Sequence, residues 1–289
     1  MRIGTRGSAL ALAQARLVAG MIAAGEPGGG GVPEIVVVST SGDRGEAVSE
    51  KARWVDAIEQ ALLDGRIDLA VHSAKDVPAQ LADGLEIVAS PPRADPRDAL
   101  CGAPSLDALA PGARVGTGSL RRTAQLRALR EDLELVELHG NVDTRLRRLA
   151  EGSFDAIVLA RAGLQRLGHD GDGVLDELVP AAAQGTLALQ ARAGDELVDA
   201  AVCALRDPDT EVALAAERAL VRALGADCHT ALGAHAAVKS DRVELRAWIG
   251  LADGSAWIAD ELDGEDPESL GCELAERLLA VGAAEMLAA

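Results

Sequence analysis

The chain has 289 residues, of which 48% are hydrophobic and 1% are aromatic, and its formal charge is −18 at pH 7. A chain of this length can form two or three domains, and its hydrophobic content is high enough for buried cores. A generally disordered chain is therefore excluded. Aliphatic side chains must build those cores, because the chain has three Trp, one Phe and no Tyr. Binding of single-stranded nucleic acid on stacked aromatic rings is therefore not expected.

The negative charge is concentrated in the C-terminal part of the chain. Residues 167–289 hold 24 acidic and 8 basic side chains, whereas residues 114–166 hold 10 arginines and 7 acidic side chains. Overall acidity disfavours DNA and anionic membranes, so we expect neither nucleic acid nor a membrane as a partner. The basic segment suggests a small anionic ligand, with an ordinary salt-bridged surface as the alternative.

Several motifs of other protein classes are missing. No run of 18 apolar residues is present and the N-terminal residues lack a signal-peptide pattern, so we expect a cytoplasmic protein. The four cysteines form no Cys-x-x-Cys pair and are expected to be thiols, with Cys101, Cys203 and Cys272 as buried small side chains. The five histidines lack the spacing of a zinc site, so no metal is expected.

The pattern of apolar residues predicts strands that alternate with helices along most of the chain. We predict helices at 9–24, 55–63, 119–129, 142–149 and 209–224, the last capped by Asp209. We predict strands at 35–38, 67–72, 85–89, 114–116, 133–138, 156–159 and 186–191. Such alternation is typical of parallel or mixed sheets with helices on both faces. Prolines 91, 92 and 96 mark a crossover between two α/β lobes, and the strand at 186–191 could return to the first lobe. Strands at 231–238, 243–250 and 256–262 with a helix at 267–281 form a smaller α+β unit.

One motif reads Gly-Thr-Gly-Ser-Leu-Arg-Arg, at residues 116–122. A strand ends in a glycine-containing turn and a helix starts at Ser119, so free backbone N–H groups face the turn. Two hydroxyls and two arginines stand beside it, which suits a carboxylate or phosphate. The alternative is a plain serine cap with arginines that face solvent.

Three further segments could carry chemistry. The segment His72–Pro78 follows a strand and presents Lys75 and Asp76 either to a ligand or as a surface turn. The turn at 140–145 enters a helix with Arg145, and its alternative is a capped helix with a solvated basic face. Cys228 lies in a loop beside an aspartate and a histidine, where it is either a nucleophile or a small buried side chain.

Together, these motifs resemble the hydroxymethylbilane synthase family, also called porphobilinogen deaminase. The resemblance covers nearly the whole chain in order. The matching segments are GTRGSALALAQA at 4–15, IDLAVHSAKDVP at 67–78, ADPRDAL at 94–100, VGTGSLRR at 115–122, GNVDTRLRRL at 140–149, DAIVLARAGLQRLG at 155–168, PAAAQGTLALQ at 180–190 and the Cys228 loop.

The resemblance implies an α/β fold with two lobes like those of periplasmic binding proteins, a cleft between them, and a small C-terminal α+β domain. The implied domains are residues 1–91 with 186–204, residues 95–182, and the cofactor-carrying residues 208–289.

The family's activity is that of a transferase in porphyrin, and hence haem, biosynthesis. It implies a dipyrromethane cofactor attached to Cys228 by a thioether, which the enzyme assembles from its own substrate. Four porphobilinogen units are then joined head to tail, ammonia leaves at each step, and the linear tetrapyrrole hydroxymethylbilane is released. A divergent, non-catalytic anion-binding paralogue of the same fold is the alternative. The family is usually monomeric, so a monomer is expected.

The resemblance also assigns site residues. Asp76 is the catalytic residue, because a fixed carboxylate stabilises the positive charge that develops on the substrate when ammonia leaves. The cofactor-binding residues are Cys228, Lys75, Thr117, Ser119, Arg121, Arg122 and Arg145. The substrate-binding residues are Arg6, Ser8, Lys51, His139, Arg166 and Gln184. Arginines suit this task because each pyrrole carries an acetate and a propionate. His139 stands where the family has an arginine.

Overall fold

The computed structural model describes residues 1–25, 31–39, 55–227 and 230–287. The chain divides into two compact units, residues 1–94 with 186–211 and residues 95–185 with 212–289. The first boundary lies between Ala94 and Asp95, inside the proline-containing stretch that predicted a crossover. The division into three domains remains a prediction, as does the cleft between the lobes.

The strands and helices largely follow the predicted order. The strands are β1 (Arg2–Thr5), β2 (Glu34–Val37), β3 (Leu69–Ser73), β4 (Leu85–Ala89), β5 (Asp98–Cys101), β6 (Arg114–Thr117), β7 (Glu134–Glu137), β8 (Ala156–Ala160), β9 (Gly173–Leu175), β10 (Leu187–Arg192), β11 (Leu232–Lys239), β12 (Arg242–Gly250) and β13 (Trp257–Gly264). The helices are α1 (Ala9–Gly25), α2 (Asp56–Leu63), α3 (Leu120–Leu129), α4 (Val142–Ala150), α5 (Arg161–Arg166), α6 (Glu196–Val202), α7 (Pro208–Leu224), α8 (Pro267–Ala280) and α9 (Ala283–Leu287). Short 3₁₀ turns span Ala74–Asp76, Leu106–Ala108 and Cys203–Leu205.

The first unit contains a five-stranded sheet in the order β2-β1-β3-β10-β4. Strand β1 runs parallel to β2 and β3, whereas β10 is antiparallel to β3 and β4. Side chains of β3 alternate between the faces, as a strand buried on both sides requires. Leu69 and Val71 pack in the cluster that holds Val18 of α1, and Ala70 packs in the cluster that holds Ile58 of α2. The predicted return of the chain to the first lobe is confirmed in β10.

The second unit contains a sheet of the same topology, in the order β7-β6-β8-β5-β9. Strands β7, β6 and β8 are parallel, and β5 is antiparallel to both β8 and β9. Val158 packs with Leu126 of α3, while Ile157 packs with Leu164 of α5 on the opposite face. Both sheets therefore place the carboxyl ends of three parallel strands along one edge, where α/β proteins bind ligands.

The C-terminal part of the second unit is the predicted α+β assembly. Strands β11, β12 and β13 form an antiparallel sheet, and Leu220 of α7 and Leu274 of α8 pack in one core with Leu245 of that sheet. Helices α7 and α8 cross closely where Gly271 has no side chain. A Cβ at that position would stand 2.5 Å from the carbonyl oxygen of Ala216. The α/β class with a small α+β part is confirmed.

The buried carboxylate of Glu217 in α7 ties this assembly to the segment that follows β9. It accepts hydrogen bonds from the backbone N–H groups of Ala183 and Ala236, the latter at 2.6 Å. Glu217 is fully buried, and Ala183 has a positive φ of 62°. The carboxylate thus stabilises an unfavourable backbone turn directly before Gln184.

Three details differ from the expectations. Helix α7 is capped by Asp207 and not by Asp209: Asp207 Oδ1 accepts from Thr210 N–H at 2.9 Å, and Pro208 occupies the first helical position, where no N–H is needed. Cys203 and Cys272 are exposed thiols, whereas Cys101 is buried as expected. Strands β1, β5 and β9 and helices α5, α6 and α9 were not predicted. No helix among the described residues is long and apolar enough to cross a membrane.

Candidate anion-binding site

The turn after β6 starts helix α3 as its sequence predicts. Ser119 caps the helix, its Oγ accepting from Arg122 N–H at 3.5 Å, and Thr117 Oγ1 accepts from Ser119 N–H at 3.2 Å. Gly118 lies so close to the next strand end that a Cβ would stand 2.7 Å from the carbonyl oxygen of Leu138. The serine cap is thus present, as both interpretations of this segment require. The two interpretations differ in whether the neighbouring arginines face solvent.

Arg121 and Arg122 do not face solvent. Arg121 is 3% exposed and Arg122 is 5% exposed. Both side chains bind the carboxylate of Asp98, which is fully buried on β5. Arg121 donates to Asp98 Oδ2 at 2.8 Å and Arg122 donates to Oδ1 at 2.7 Å. Arg121 also donates to the carbonyl of Val179 at 2.7 Å and Arg122 to that of Val158 at 3.2 Å. The basic pair is therefore part of an internal charge cluster.

The cluster has a strong electrostatic signature. Burial alone would raise the pKa of Asp98, but the guanidinium groups of Arg121 and Arg122 outweigh it and hold that pKa well below its usual range. Burial lowers the pKa of Arg121, with Asp98 opposing the change. No described acceptor lies within hydrogen-bonding distance of the buried Nε–H of Arg121. One donor of the cluster is thus unused.

A third guanidinium lies beside this cluster. Arg145 on α4 donates from Nε to the carbonyl of Gly140 at 2.7 Å, and its Nη2 is 3.8 Å from the position that a Cβ on Gly118 would take. Burial lowers the pKa of Arg145, and the positive charge of Arg122 adds to the shift. Three arginines thus surround the Gly118 turn, while Asp98 is the carboxylate that two of them bind.

Gln184 and Arg166 connect this region to the segment before β10. The amide of Gln184 donates to Asp98 Oδ1 at 2.8 Å and to the carbonyl of Pro96 at 2.7 Å, and the side chain is buried. Arg166 at the end of α5 donates to the carbonyl of Gly185 at 2.7 Å, and burial lowers its pKa to about 10. Both residues belong to the same unit as the arginine cluster.

His139 has a different environment from the other residues assigned to this unit. Its side chain is 73% exposed, and its Nε2 lies 2.8 Å from Oε1 of Glu137, which is itself exposed. A substrate-binding role for His139 remains a prediction.

The first unit has its own pocket at the carboxyl ends of β1 and β3. Its polar lining residues are Thr5, Arg6, Ser8, Gln14, His72, Ser73 and Asp76. Three of these, Arg6, Ser8 and Asp76, were assigned from the sequence, and the structure brings them together. Ser8 also accepts from Ala11 N–H at 3.2 Å, so it caps α1.

Sequence reasoning missed His72, Gln14 and Asp98. Gln14 is buried and donates to Ser73 Oγ at 2.8 Å. For His72 the available signal was a polar residue in an otherwise apolar strand. No such signal marked Asp98, because its strand was not predicted.

Of the other assigned residues, Lys75 lies beside Asp76 in an exposed 3₁₀ turn directly after β3. Lys51 and Cys228 lie outside the described residues.

Two α/β sheets with cationic side chains near the carboxyl ends of their strands, followed by a small α+β part, define an α/β protein with a candidate anion-binding site. Comparison with known proteins gives the family. Residues 1–200 match the model "Porphobilinogen deaminase, dipyromethane cofactor binding domain", and residues 212–280 match "Porphobilinogen deaminase, C-terminal domain". The chain therefore belongs to the porphobilinogen deaminase family.

Named relatives cover the whole chain. It is 47% identical to the porphobilinogen deaminase of Roseiflexus sp. (strain RS-1), over 99% of this chain and 98% of that protein. It is 45% identical to that of Thermus thermophilus, over 99% and 97%. Similar solved structures include a periplasmic substrate-binding protein from Coxiella burnetii, at 16% identity and a TM-score of 0.46, covering 73% of this chain and 94% of that one. Another is the methionine binding protein MetQ, at 19% identity and a TM-score of 0.46, covering 73% and 91%.

Proposed function

We propose that this chain joins four porphobilinogen units head to tail onto a dipyrromethane held by Cys228, releasing ammonia and the linear tetrapyrrole hydroxymethylbilane. The observation that carries this proposal is the surplus of buried positive charge around the Gly118 turn. Arg121 and Arg122 share the carboxylate of Asp98, Arg145 stands next to them, and Arg121 keeps an unused buried N–H.

The residues present fit a dipyrromethane. Its two pyrroles carry acetate and propionate groups, and guanidinium groups bind carboxylates through charge-assisted hydrogen bonds. Arg121, Arg122 and Arg145 are partly desolvated, so their attraction for an anion is stronger than at an exposed site. When bound, the group supplies the free α-carbon to which the first substrate unit is joined. Thr117, Ser119 and Lys75 are proposed to assist with hydrogen bonds.

Asp76 is proposed as the catalytic residue. Its carboxylate lines the pocket of the first unit, on a short turn that β3 positions. Departure of ammonia from porphobilinogen leaves positive charge on the substrate, and a fixed carboxylate stabilises that charge as it develops. Substrate carboxylates are proposed to be bound by Arg6, Ser8, Lys51, His139, Arg166 and Gln184.

The setting of the protein is also proposed. We propose a cytoplasmic protein, because the free thiols of Cys101, Cys203 and Cys272 suit a reducing compartment. We also propose a monomer, as is usual in the family. A formal charge of −18 disfavours nucleic acid as a partner.

Turnover with porphobilinogen tests the proposal directly. Purified protein should release ammonia from porphobilinogen and form a tetrapyrrole that oxidises to a coloured porphyrin. Binding of porphobilinogen without ammonia release would contradict the proposal and favour the non-catalytic anion-binding paralogue.

A further inference from the structure

A chain of three buried polar side chains runs through the first unit and ends at the pocket. His72 of β3 has its Nε2 3.1 Å from Oε1 of Gln190 on β10, and Gln190 donates from Nε2 to Oε1 of Glu59 on α2 at 2.7 Å. His72, Gln190 and Glu59 are 6%, 0% and 8% exposed. Buried polar groups of this kind are kept only where hydrogen bonds satisfy them, so the order of donors along the chain is constrained.

The glutamate fixes the direction of the whole chain. Because a carboxylate only accepts hydrogen bonds, the amide nitrogen of Gln190 must point to Glu59 and its oxygen to His72. The amide oxygen is also only an acceptor, so His72 Nε2 must carry the proton. The imidazole is then the tautomer with a lone pair on Nδ1.

His72 remains neutral in ordinary conditions. Burial lowers its pKa to about 4, the hydrogen bond that His72 donates to Gln190 opposes this shift, and the positive charge of Arg6 adds to it. Since His72 lines the pocket and its Nε2 is turned to Gln190, the polar group that it can offer to an occupant is the Nδ1 lone pair.

We propose that His72 is a further substrate-contacting residue, whose Nδ1 accepts a hydrogen bond from an N–H group of porphobilinogen, and that Glu59 and Gln190 are positioning residues that hold it in the accepting tautomer. The second part concerns the free protein, whereas the first rests on the proposed function. Neighbouring Arg6 attracts the substrate's carboxylates, so an accepting nitrogen beside it gives the pocket one group for each end of a zwitterionic substrate.

Nitrogen NMR of protein labelled at its histidine rings tests the tautomer without substrate. The signals of His72 are identified as those that are missing from the spectrum of His72→Asn. In the wild type at neutral pH they should show that Nε2 is protonated and Nδ1 is not. Glu59→Gln should mix the two tautomers, because a second amide can face Gln190 either way round. The matched control Asp56→Asn, an exposed residue of the same helix, should leave the signals unchanged. A protonated Nδ1 in the wild type would overturn the proposal.

Two variants separate contact with substrate from a merely structural role. Asn places a carbonyl near the former Nδ1, whereas Gln places an amide N–H near the former Nε2 and can still donate to Gln190. His72→Gln should therefore be more stable than His72→Asn. It should nevertheless raise KM by about 10-fold, the effect of one lost hydrogen bond. His72→Asn should be the less stable variant with KM nearer to the wild type. If KM rises most in the variant that loses most stability, the contact between His72 and the substrate is overturned. If the wild type releases no ammonia from porphobilinogen, it is the proposed function that fails.

Discussion

Arg122 binds Asp98 through two hydrogen bonds, from Nε at 3.0 Å and from Nη2 at 2.7 Å, and both side chains are buried. The same carboxylate also receives Arg121 and Gln184. One carboxylate thus organises the groups to which the anionic cofactor is assigned. It does so from β5, while the arginines stand on α3, so the geometry depends on the sheet as well as on the turn.

Removal of the Asp98 charge should destabilise the fold strongly. Asp98→Asn leaves Arg121 and Arg122 buried without a counter-ion, and we expect a loss of about 3–5 kcal/mol in the free energy of unfolding. Asp263→Asn is the control, because this exposed residue pairs with Arg242 at 2.6 Å and should contribute less than about 1 kcal/mol. Denaturant unfolding of the three proteins measures the difference. Equal stabilities of the two variants would show that Asp98 is not needed to neutralise the arginines.

The buried histidine should make stability depend on pH. The pKa of His72 is about 4 in the folded protein because of burial, against about 6.5 in an unfolded chain. Between these values the unfolded chain binds a proton that the folded protein does not, so stability decreases as pH falls. From pH 7 to pH 5 this residue should account for a loss of about 2 kcal/mol.

Unfolding measured at both pH values tests this contribution. His72→Gln should lose less stability than the wild type over the interval, whereas His169→Gln, at an exposed position, should follow the wild type. The same slope in all three proteins would mean that His72 titrates normally.

Much of this fold was predictable, and the reasons differ between elements. Strand β3 and helix α3 carry clear periodicities and end in recognisable turns, so their type and bounds were close to those observed. Strand β5 was missed because it is four residues long and begins with a charged residue, Asp98, whose burial depends on arginines more than twenty positions away. Long-range pairing of this kind leaves no local pattern.

The site was predicted less completely than the fold. The segment at 116–122 indicated an anion site through its turn and two arginines, but it could not indicate that both guanidinium groups point inward to Asp98. Likewise, the proton position on His72 depends on Gln190 and Glu59, which lie on two other elements. These contacts follow from tertiary structure alone.

Arg145 should contribute to cofactor assembly. Arg145→Gln removes a partly buried charge, and a lost charge-assisted hydrogen bond typically slows a dependent step by about 10- to 100-fold. Arg147→Gln is the matched control, since Arg147 lies on the same helix, is exposed, and pairs with Glu151 at 3.6 Å. The measurement is the time course of mass increase when protein made without porphobilinogen is supplied with it. Equal rates for the two variants would remove Arg145 from the cofactor site.

Asp76 should affect the chemical step more than binding. Asp76→Asn keeps the shape and removes the charge, so we expect single-turnover ammonia release to slow by about 10²- to 10³-fold while porphobilinogen still binds. Asp83→Asn, an exposed carboxylate on the following loop, should react as the wild type does. Rapid-quench measurement of ammonia decides this, and a near-normal rate in Asp76→Asn would mean that another group stabilises the developing charge.

The intact mass of the protein tests the central claim most directly. Wild-type protein from cells that make porphobilinogen should exceed its sequence mass by one dipyrromethane, and so should variants of the free thiols Cys101, Cys203 and Cys272. Cys228→Ala should have its unmodified mass. An unmodified wild type, or a Cys228→Ala protein that still carries the added mass, would contradict the account.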